Sequence, residues 1–338
     1  MWMIYGANGY TGELIAREAV SRGERPILAG RTREKIEPLA RELGLEWRAF
    51  DLTKPDLHGV ALVLHCAGPF IHTSRPMVDA CLAGGVHYLD ITGEIAVFEA
   101  IFGRDAEARE RNVVLLPGVG FDVVPTDCLA AMLHAELPDA NELWLAFSAR
   151  GAGVSRGTMK TMIEGAGYGG AIRRDGRIVS VPQMYDVRAI PFASGERLAM
   201  TIPWGDVATA FRTTGIPNIR VYSSQSKRAV ARMRWMRRLL PLLRIAPLRK
   251  LALRFADRQA GPSEQVRERA RVELWGRVTN AGGEERTRTL SVAEGYKFTV
   301  LSSLAAVEGV LAKPRAGAFT PASFFGAEFV RRIEGTQV

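Results

Sequence analysis

The chain has 338 residues, 47% of them hydrophobic and 24% charged, with a formal net charge of +9. That length predicts about two domains able to bury their own cores, and the composition is that of a globular protein, so miniproteins, collagen-like repeats and disordered chains are excluded. The basic surplus suggests an anionic partner such as nucleic acid or membrane, but it is concentrated: Lys227 to Arg258 carries a net +10, and the rest of the chain sums to −1.

Short apolar runs at Trp2–Tyr5, Pro26–Ala29, Glu46–Phe50, Ala61–Cys66, Val86–Ile91 and Val113–Leu116 alternate with helix-like segments at Thr11–Ser21, Arg33–Leu43, Ser74–Ala83 and Ile95–Arg111. Such alternation predicts βαβ units, so residues 1–125 read as a Rossmann-type, doubly wound parallel α/β domain. The pattern changes from residue 126. A helix at Thr126–Leu137 and a strand at Glu142–Ser148 lead into Gly-rich and Arg-rich stretches. Two alternating runs, Ala270–Thr279 and Arg286–Val292, flank the turn residues 280–283 and predict a hairpin, making residues 126–295 an α+β domain with an antiparallel sheet. In the last stretch, 296–338, Tyr296–Leu311 reads as a helix, and Thr320 as the cap of another carrying Phe324, Phe325 and Phe329.

Gly6-Ala7-Asn8-Gly9-Tyr10-Thr11-Gly12 joins the first strand to the first helix, where a dinucleotide pyrophosphate would meet the helix N-terminus. Gly6 permits the tight turn, Gly9 a close approach of backbone to pyrophosphate, and Gly12 close helix-to-strand packing; the spacing is GxxGxxG rather than GxGxxG. Arg31 stands 19 positions after Gly12, where NAD sites place an acid on the ribose 2′-OH. An arginine there, assisted by Arg33 or Lys35, suits a 2′-phosphate, so NADP(H) is the expected cofactor. Asp51 is placed to face the adenine, with turn capping as the alternative, and Ala67 and Gly68 to face the ribose or nicotinamide.

For proton chemistry the candidates are Asp122, after the sixth strand; Glu94, after the fifth; and Lys160, beyond the possible helix start at Ser155. Each has a structural alternative: Asp122 as a turn residue, Glu94 as part of a helix start, Ser155 as a cap, and Thr126 or Asp127 as caps of the next helix. His65 and Cys66 read as a buried histidine and an inert thiol. No HExxH, paired-cysteine, GxSxG or P-loop pattern appears, so metal, acyl-hydrolase and NTPase readings are not supported. Three scattered cysteines, no leader-like start and no apolar run of membrane-spanning length lead us to expect a reducing, cytoplasmic setting.

GANGYTG, AGR, CAGPFIHTSRPMVDACLAGGVHYLDITGE and GVGFDVVPTD follow one another in an order that resembles the saccharopine dehydrogenase-like family, nearest its trans-acting enoyl reductase branch. The resemblance is strongest over about residues 1–165 and returns in FTPASFFG. It implies an NADP-binding Rossmann domain, a mixed domain on the substrate side, and a C-terminal segment packing back on the first domain. In that branch NADPH reduces a carbon–carbon double bond of a carrier-tethered thioester, whereas saccharopine enzymes make or break a secondary amine. A substrate rich in carboxylates needs fixed arginines, and an acyl chain an apolar path. Arg150, Arg156, Lys160, Arg173 and Arg174 offer the first; Met159, Met162, Met184, Met200 and Trp204 offer the second. A reductase of unsaturated acyl groups, an imine or amino-acid oxidoreductase, and a non-catalytic NADP-binding scaffold all remain open.

The segment 227–258 interleaves its charges with large apolar residues, and Pro241 and Pro247 divide it into short helices. It reads as a basic amphipathic patch facing an acidic carrier protein, an anionic membrane surface such as the inner membrane, or the protein's own core. Nucleic acid is not expected, since no recognition module accompanies it; a homodimer is compatible.

Overall fold

The structure, a computed structural model, describes residues 1–149, 153–256 and 261–337. The chain divides into two compact units, Met1–Val124 with Tyr296–Phe325, and Pro125–Gly295 with the residues from Gly326.

In the first unit β1 (Trp2–Tyr5), α1 (Tyr10–Ser21), β2 (Ile27–Gly30), α2 (Arg33–Leu43), β3 (Trp47–Ala49), β4 (Leu62–His65), α3 (Phe70–Gly84), β5 (His87–Asp90), α4 (Ile95–Phe102), α5 (Asp105–Glu110) and β6 (Val114–Leu116) follow in turn. Their strands form a parallel sheet ordered β6-β5-β4-β1-β2-β3, and a seventh strand, Gly317–Ala318, pairs in parallel with β6. β1, β2 and β4 are buried at every residue, which is why they read as unbroken apolar runs. The strand order reverses between β1 and β4, in register Tyr5 to His65, and ligands of doubly wound sheets collect at that switch point. The expected Rossmann-type fold is present.

Three local expectations need correction. First, α3 begins at Phe70, a turn before Ser74, because the Glu94 carboxylate accepts hydrogen bonds from the Phe70 and Ile71 amides and so satisfies two orphan donors of its first turn. Second, the single helix expected over 95–111 breaks at Gly103 and Arg104 into α4 and α5, with the Arg104 guanidinium bridging Glu107 and Asp79. Third, the Thr320 side chain accepts from the Ser323 amide at 3.2 Å but caps only Pro321–Phe325; Gly326, at φ +88°, turns the chain, and Phe329 sits in a separate 3₁₀ turn.

The second unit is built on an eight-stranded mixed sheet. Strands Val187–Phe192, Gly195–Thr201, Asn218–Ser224, Ala140–Ala149, Arg271–Asn280 and Glu285–Ala293 lie side by side in that order, and the hairpin of Gly170–Arg174 with Arg177–Val181 joins at Ile219. All pairs are antiparallel except Asn218–Ser224 with Ala140–Ala149. The hairpin read from 270–292 is present, whereas the strands between 170 and 201 were not anticipated. The basic segment forms a helix Lys227–Met236, capped by Ser226, a 3₁₀ turn Leu240–Arg244 and a helix Ala246–Ala256. Arg150, Asp257 and Arg258 lie outside the described residues. No helix among the described residues is long and apolar enough to cross a membrane.

Candidate dinucleotide site

The glycine loop is shaped by contacts that exclude side chains. Gly6 has φ +87°, and a Cβ on it would lie 2.8 Å from the backbone nitrogen of Ala67, so the loops after β1 and β4 touch at the switch point. A Cβ on Gly12 would lie 2.4 Å from the Gly6 carbonyl oxygen. Gly9 is the N-cap of α1 and supplies no side chain to its first amides, leaving an uncapped, positively polarised helix start of the kind a pyrophosphate requires. Gly12→Ala pits a new methyl against rigid backbone; it is expected to lower stability by about 1–3 kcal/mol in urea unfolding and to abolish the rise in melting temperature that NADPH gives the wild-type chain.

Around this cradle, the side-chain oxygen of Asn8 reaches toward the end of β2, 3.1 Å from where a Cβ of Gly30 would sit. Tyr10 packs edge-on against Tyr296 at 5.0 Å, with Thr11 half-buried beside it. Arg31, directly after β2, is exposed and makes no hydrogen bond or ion pair among the described residues, and the same holds for the Lys35 side chain. Arg33 differs: it pairs with Glu37 at 2.9 Å and lies over the Trp47 ring at 5.2 Å, which commits its guanidinium to α2 and β3. Asp51 accepts from the amide of Thr53 at 2.7 Å and from the Thr53 hydroxyl, and these bonds hold its carboxyl below the usual range. It closes an Asx turn, the alternative its position allowed.

Ala67 and Gly68 follow β4. The Ala67 carbonyl accepts from the Thr73 hydroxyl at 2.7 Å, and that oxygen in turn lies 3.1 Å from Nε2 of the fully buried His65. Burial pushes His65 down to about 3, so it is a neutral packing group, and burial raises the Cys66 thiol.

The carboxylates gather at the ends of β5 and β6. Asp90, fully buried, accepts from Tyr88 Oη at 2.8 Å and from the amides of Thr92 and Gly118 at 3.0 and 2.8 Å, and burial still pushes it up to about 6. It staples the loop after β6 to β5. Glu94 takes the Phe70 and Ile71 amides at 2.7 and 2.9 Å, joining the loop after β5 to the start of α3. Asp122 is half-buried over Gly93, where a Cβ would come within 2.5 Å of Asp122 Oδ2. Burial first, and the charge of Glu94 second, push its carboxyl up to about 7. The hydroxyl of Thr299 accepts from the Phe121 amide at 3.0 Å and that of Ser302 donates to the Val119 carbonyl at 2.7 Å, pinning the Asp122 loop. The structure thus brings Glu94 and Asp122 together, and adds Asp90, Thr299 and Ser302, which the sequence reading missed. An acid at a strand end and a polar pair spaced three apart on an otherwise apolar helix were their only local signals.

The remaining candidates lie in the second unit. Lys160 is half-buried on helix Arg156–Ala166, whose N-cap Ser155 accepts from the Thr158 amide at 3.3 Å. Thr126 and Asp127 are buried within helix Val124–Glu136 and bond Asp206 and Thr213 at 2.8 and 2.5 Å, so neither is an open site residue. Arg173 donates to the carbonyls of Val207 and Gly176, and Arg174 to Tyr185 Oη. Met184 and Met200 belong to a buried cluster with Val230 rather than to an open apolar path.

A doubly wound parallel sheet with a glycine-rich loop at its switch point defines a dinucleotide-binding protein of the Rossmann class. Residues 2–116 match the family model of the saccharopine dehydrogenase NADP binding domain, and NADP(H) is the cofactor this domain takes. The chain is similar to a saccharopine dehydrogenase-like oxidoreductase of Mus musculus, 29% identical over 202 residues covering 51% of this chain and 47% of that protein. It is also similar to a trans-acting enoyl reductase of Mycobacterium bovis, 29% identical over 188 residues covering 48% of this chain and 43% of that one. The chain therefore spans less than half the length of these relatives. Among solved structures, the apo saccharopine dehydrogenase (L-Glu forming) of Saccharomyces cerevisiae has a TM-score of 0.67 over 98% of this chain and 96% of that one, at 11% identity, which shows a shared fold. The relatives are named an oxidoreductase and a reductase, and the domain model matched is an NADP-binding one.

Proposed function

We propose that the chain is an NADPH-dependent reductase that saturates an unsaturated acyl substrate, carrier- or lipid-linked, with Asp122 delivering the proton. The carrying observation is the Asp122 carboxyl, half-buried and held at about 7, where a general acid works at neutral pH. Gly6, Gly9 and Gly12 with the first amides of α1 hold the pyrophosphate; Asn8, Tyr10 and Thr11 border it; Arg31 and Lys35 meet the 2′-phosphate; Ala67 and Gly68 form the floor beyond β4. When bound, the reduced nicotinamide supplies the hydride. Glu94 is a positioning residue that fixes the start of α3 and adds its charge to the burial that raises the Asp122 carboxyl.

The acyl reading is preferred because relatives of the chain are named trans-acting enoyl reductases; the second unit's side chains do not separate it from the amino-acid one, since Arg173 and Arg174 serve carbonyl and phenol oxygens while Met184 and Met200 lie in a buried cluster. NADPH oxidation by the full chain with a series of 2-enoyl pantetheine thioesters, set against a cyclic imine and saccharopine, tests the proposal. Turnover of the enoyl series alone is the expected result. Turnover of the imine or saccharopine alone would replace it with the amine reading, and tight NADPH binding without turnover with the scaffold reading.

Glu94→Gln keeps an acceptor for the α3 amides but removes the charge that raises Asp122. The Asp122 carboxyl then titrates at lower pH, so the alkaline limb of the rate profile is expected to move to lower pH, at a stability cost smaller than loss of the whole cap, since one glutamine oxygen replaces two that each took an amide. Glu94→Ala should in addition cost about 1 kcal/mol through the lost cap.

A further inference from the structure

The basic segment places only part of its apolar side chains against the protein's own core. Helix Lys227–Met236 is anchored through Val230, buried, and Met233, partly buried, against Met184 and Met200. Arg244 then ties the segment to the rest of the second unit, donating to the Gly167 carbonyl at 2.8 Å and lying over Tyr168 at 5.4 Å. Beyond these anchors Leu239, Leu242, Ile245, Leu248, Leu251 and Phe255 are all exposed, at intervals of three or four residues through the 3₁₀ turn and the last helix. Trp235, 71% exposed, begins the same run and Phe255, 63% exposed, ends it. Residues 227–256 contain ten lysines and arginines and no acid.

We propose that this segment docks the protein on an anionic lipid bilayer, lying in the headgroup region with its apolar residues inserted. An exposed apolar run is costly in water unless something covers it. A surface made only of acidic protein side chains would meet the arginines but leave the leucines wet. A bilayer carrying anionic headgroups satisfies both, and Trp and Arg are the residue types that settle at that depth. This inference is independent of the reductase reading, because lipid binding is read without cofactor or substrate.

Co-sedimentation of the full chain with vesicles tests it. The wild-type chain is expected to sediment with equimolar phosphatidylglycerol and phosphatidylcholine and to remain in solution with phosphatidylcholine alone. Replacing Arg234, Arg237 and Arg238 by Gln should weaken binding about fivefold per arginine. A second variant, Leu242→Ser with Leu251→Ser and Phe255→Ser, changes only exposed positions and should therefore keep the wild-type unfolding transition; it should bind at low salt but be released at about 0.5 M salt, where charge interactions are screened, while the wild-type chain is retained in part. Equal sedimentation with neutral and anionic vesicles, or an apolar variant as salt-resistant as the wild type, would overturn the proposal. So would absence of vesicle binding together with a dimer in sedimentation velocity that the apolar variant dissolves, which would assign the face to a second copy of the chain.

Discussion

Asp122→Asn is expected to lower NADPH-dependent turnover by about 10²–10⁴-fold, the usual contribution of a general acid, while NADPH affinity is unchanged. The wild-type rate should fall as pH rises through about 7, where the Asp122 proton is lost, and the variant should lack that limb. Stability separates this outcome from misfolding. The folded-state carboxyl is raised from 3.8 to about 7, so its contribution to stability is fully present below the unfolded value and is lost as pH rises through the folded one. Asparagine suffers no such loss. The variant should therefore match the wild type near pH ~4 and exceed it at pH ~8 by about 1 kcal/mol, after discounting for the partial exposure of the group, or about 2–4 °C in melting temperature. Asp90, pushed up to about 6, acts in the same direction but is common to both proteins and cancels in the comparison. A variant that is less active and less stable at pH ~8 would remove Asp122 from the proposed role.

Arg31→Asp is expected to weaken NADPH binding by about 10²–10³-fold and to leave NADH binding equal or improved, since it replaces a charge-assisted pair with repulsion of the 2′-phosphate. Titration of either cofactor against protein fluorescence reads both numbers. The size of the effect follows from how the neighbouring cations are used. Arg33 is held by Glu37 and stacked on Trp47, which leaves Lys35 as the other cation of that turn not engaged in an ion pair among the described residues, a point charge on a flexible stem. Lys35→Ala should accordingly cost about tenfold or less. Unchanged NADPH affinity in the Arg31 variant would assign the 2′-phosphate to other residues.

Features written in neighbouring residues were legible. β1, β2 and β4 carry apolar side chains toward both faces of the sheet, and Gly9 and Gly12 answer to contacts within their own turn, whereas Gly6 also meets the loop after β4. The role of Glu94 was not legible, because the amides it caps lie 24 and 23 residues earlier, at the head of a helix whose spacing suggested a later start. Thr299 and Ser302 act on a loop 178 and 183 residues away. Strands between 170 and 201 were hidden for another reason. Arg188 and Arg277 lie over the Trp144 ring at 3.7 and 3.8 Å, so the face of that sheet is built from arginine stacked on tryptophan, and a strand bearing such charges has the composition of a loop. Asp122 stood out because it follows a strand end, yet its burial and its nearness to Glu94 are properties of three loops meeting, which no single stretch encodes.

The short strand Gly317–Ala318 bears on how the protein is made. As the chain leaves the ribosome, β1 to β6 can assemble early and Asp90 can hold the start of the Asp122 loop, but the outer edge of β6 stays bare and the loop lacks its two hydroxyl partners until Thr299, Ser302 and then residue 318 have been synthesised. The nucleotide-binding unit is therefore finished only after the whole stretch 125–295 of the second unit has been made. A nascent chain cut short before residue 318 would expose an unpaired edge on β6 and leave the Asp122 loop without two of its hydroxyl partners.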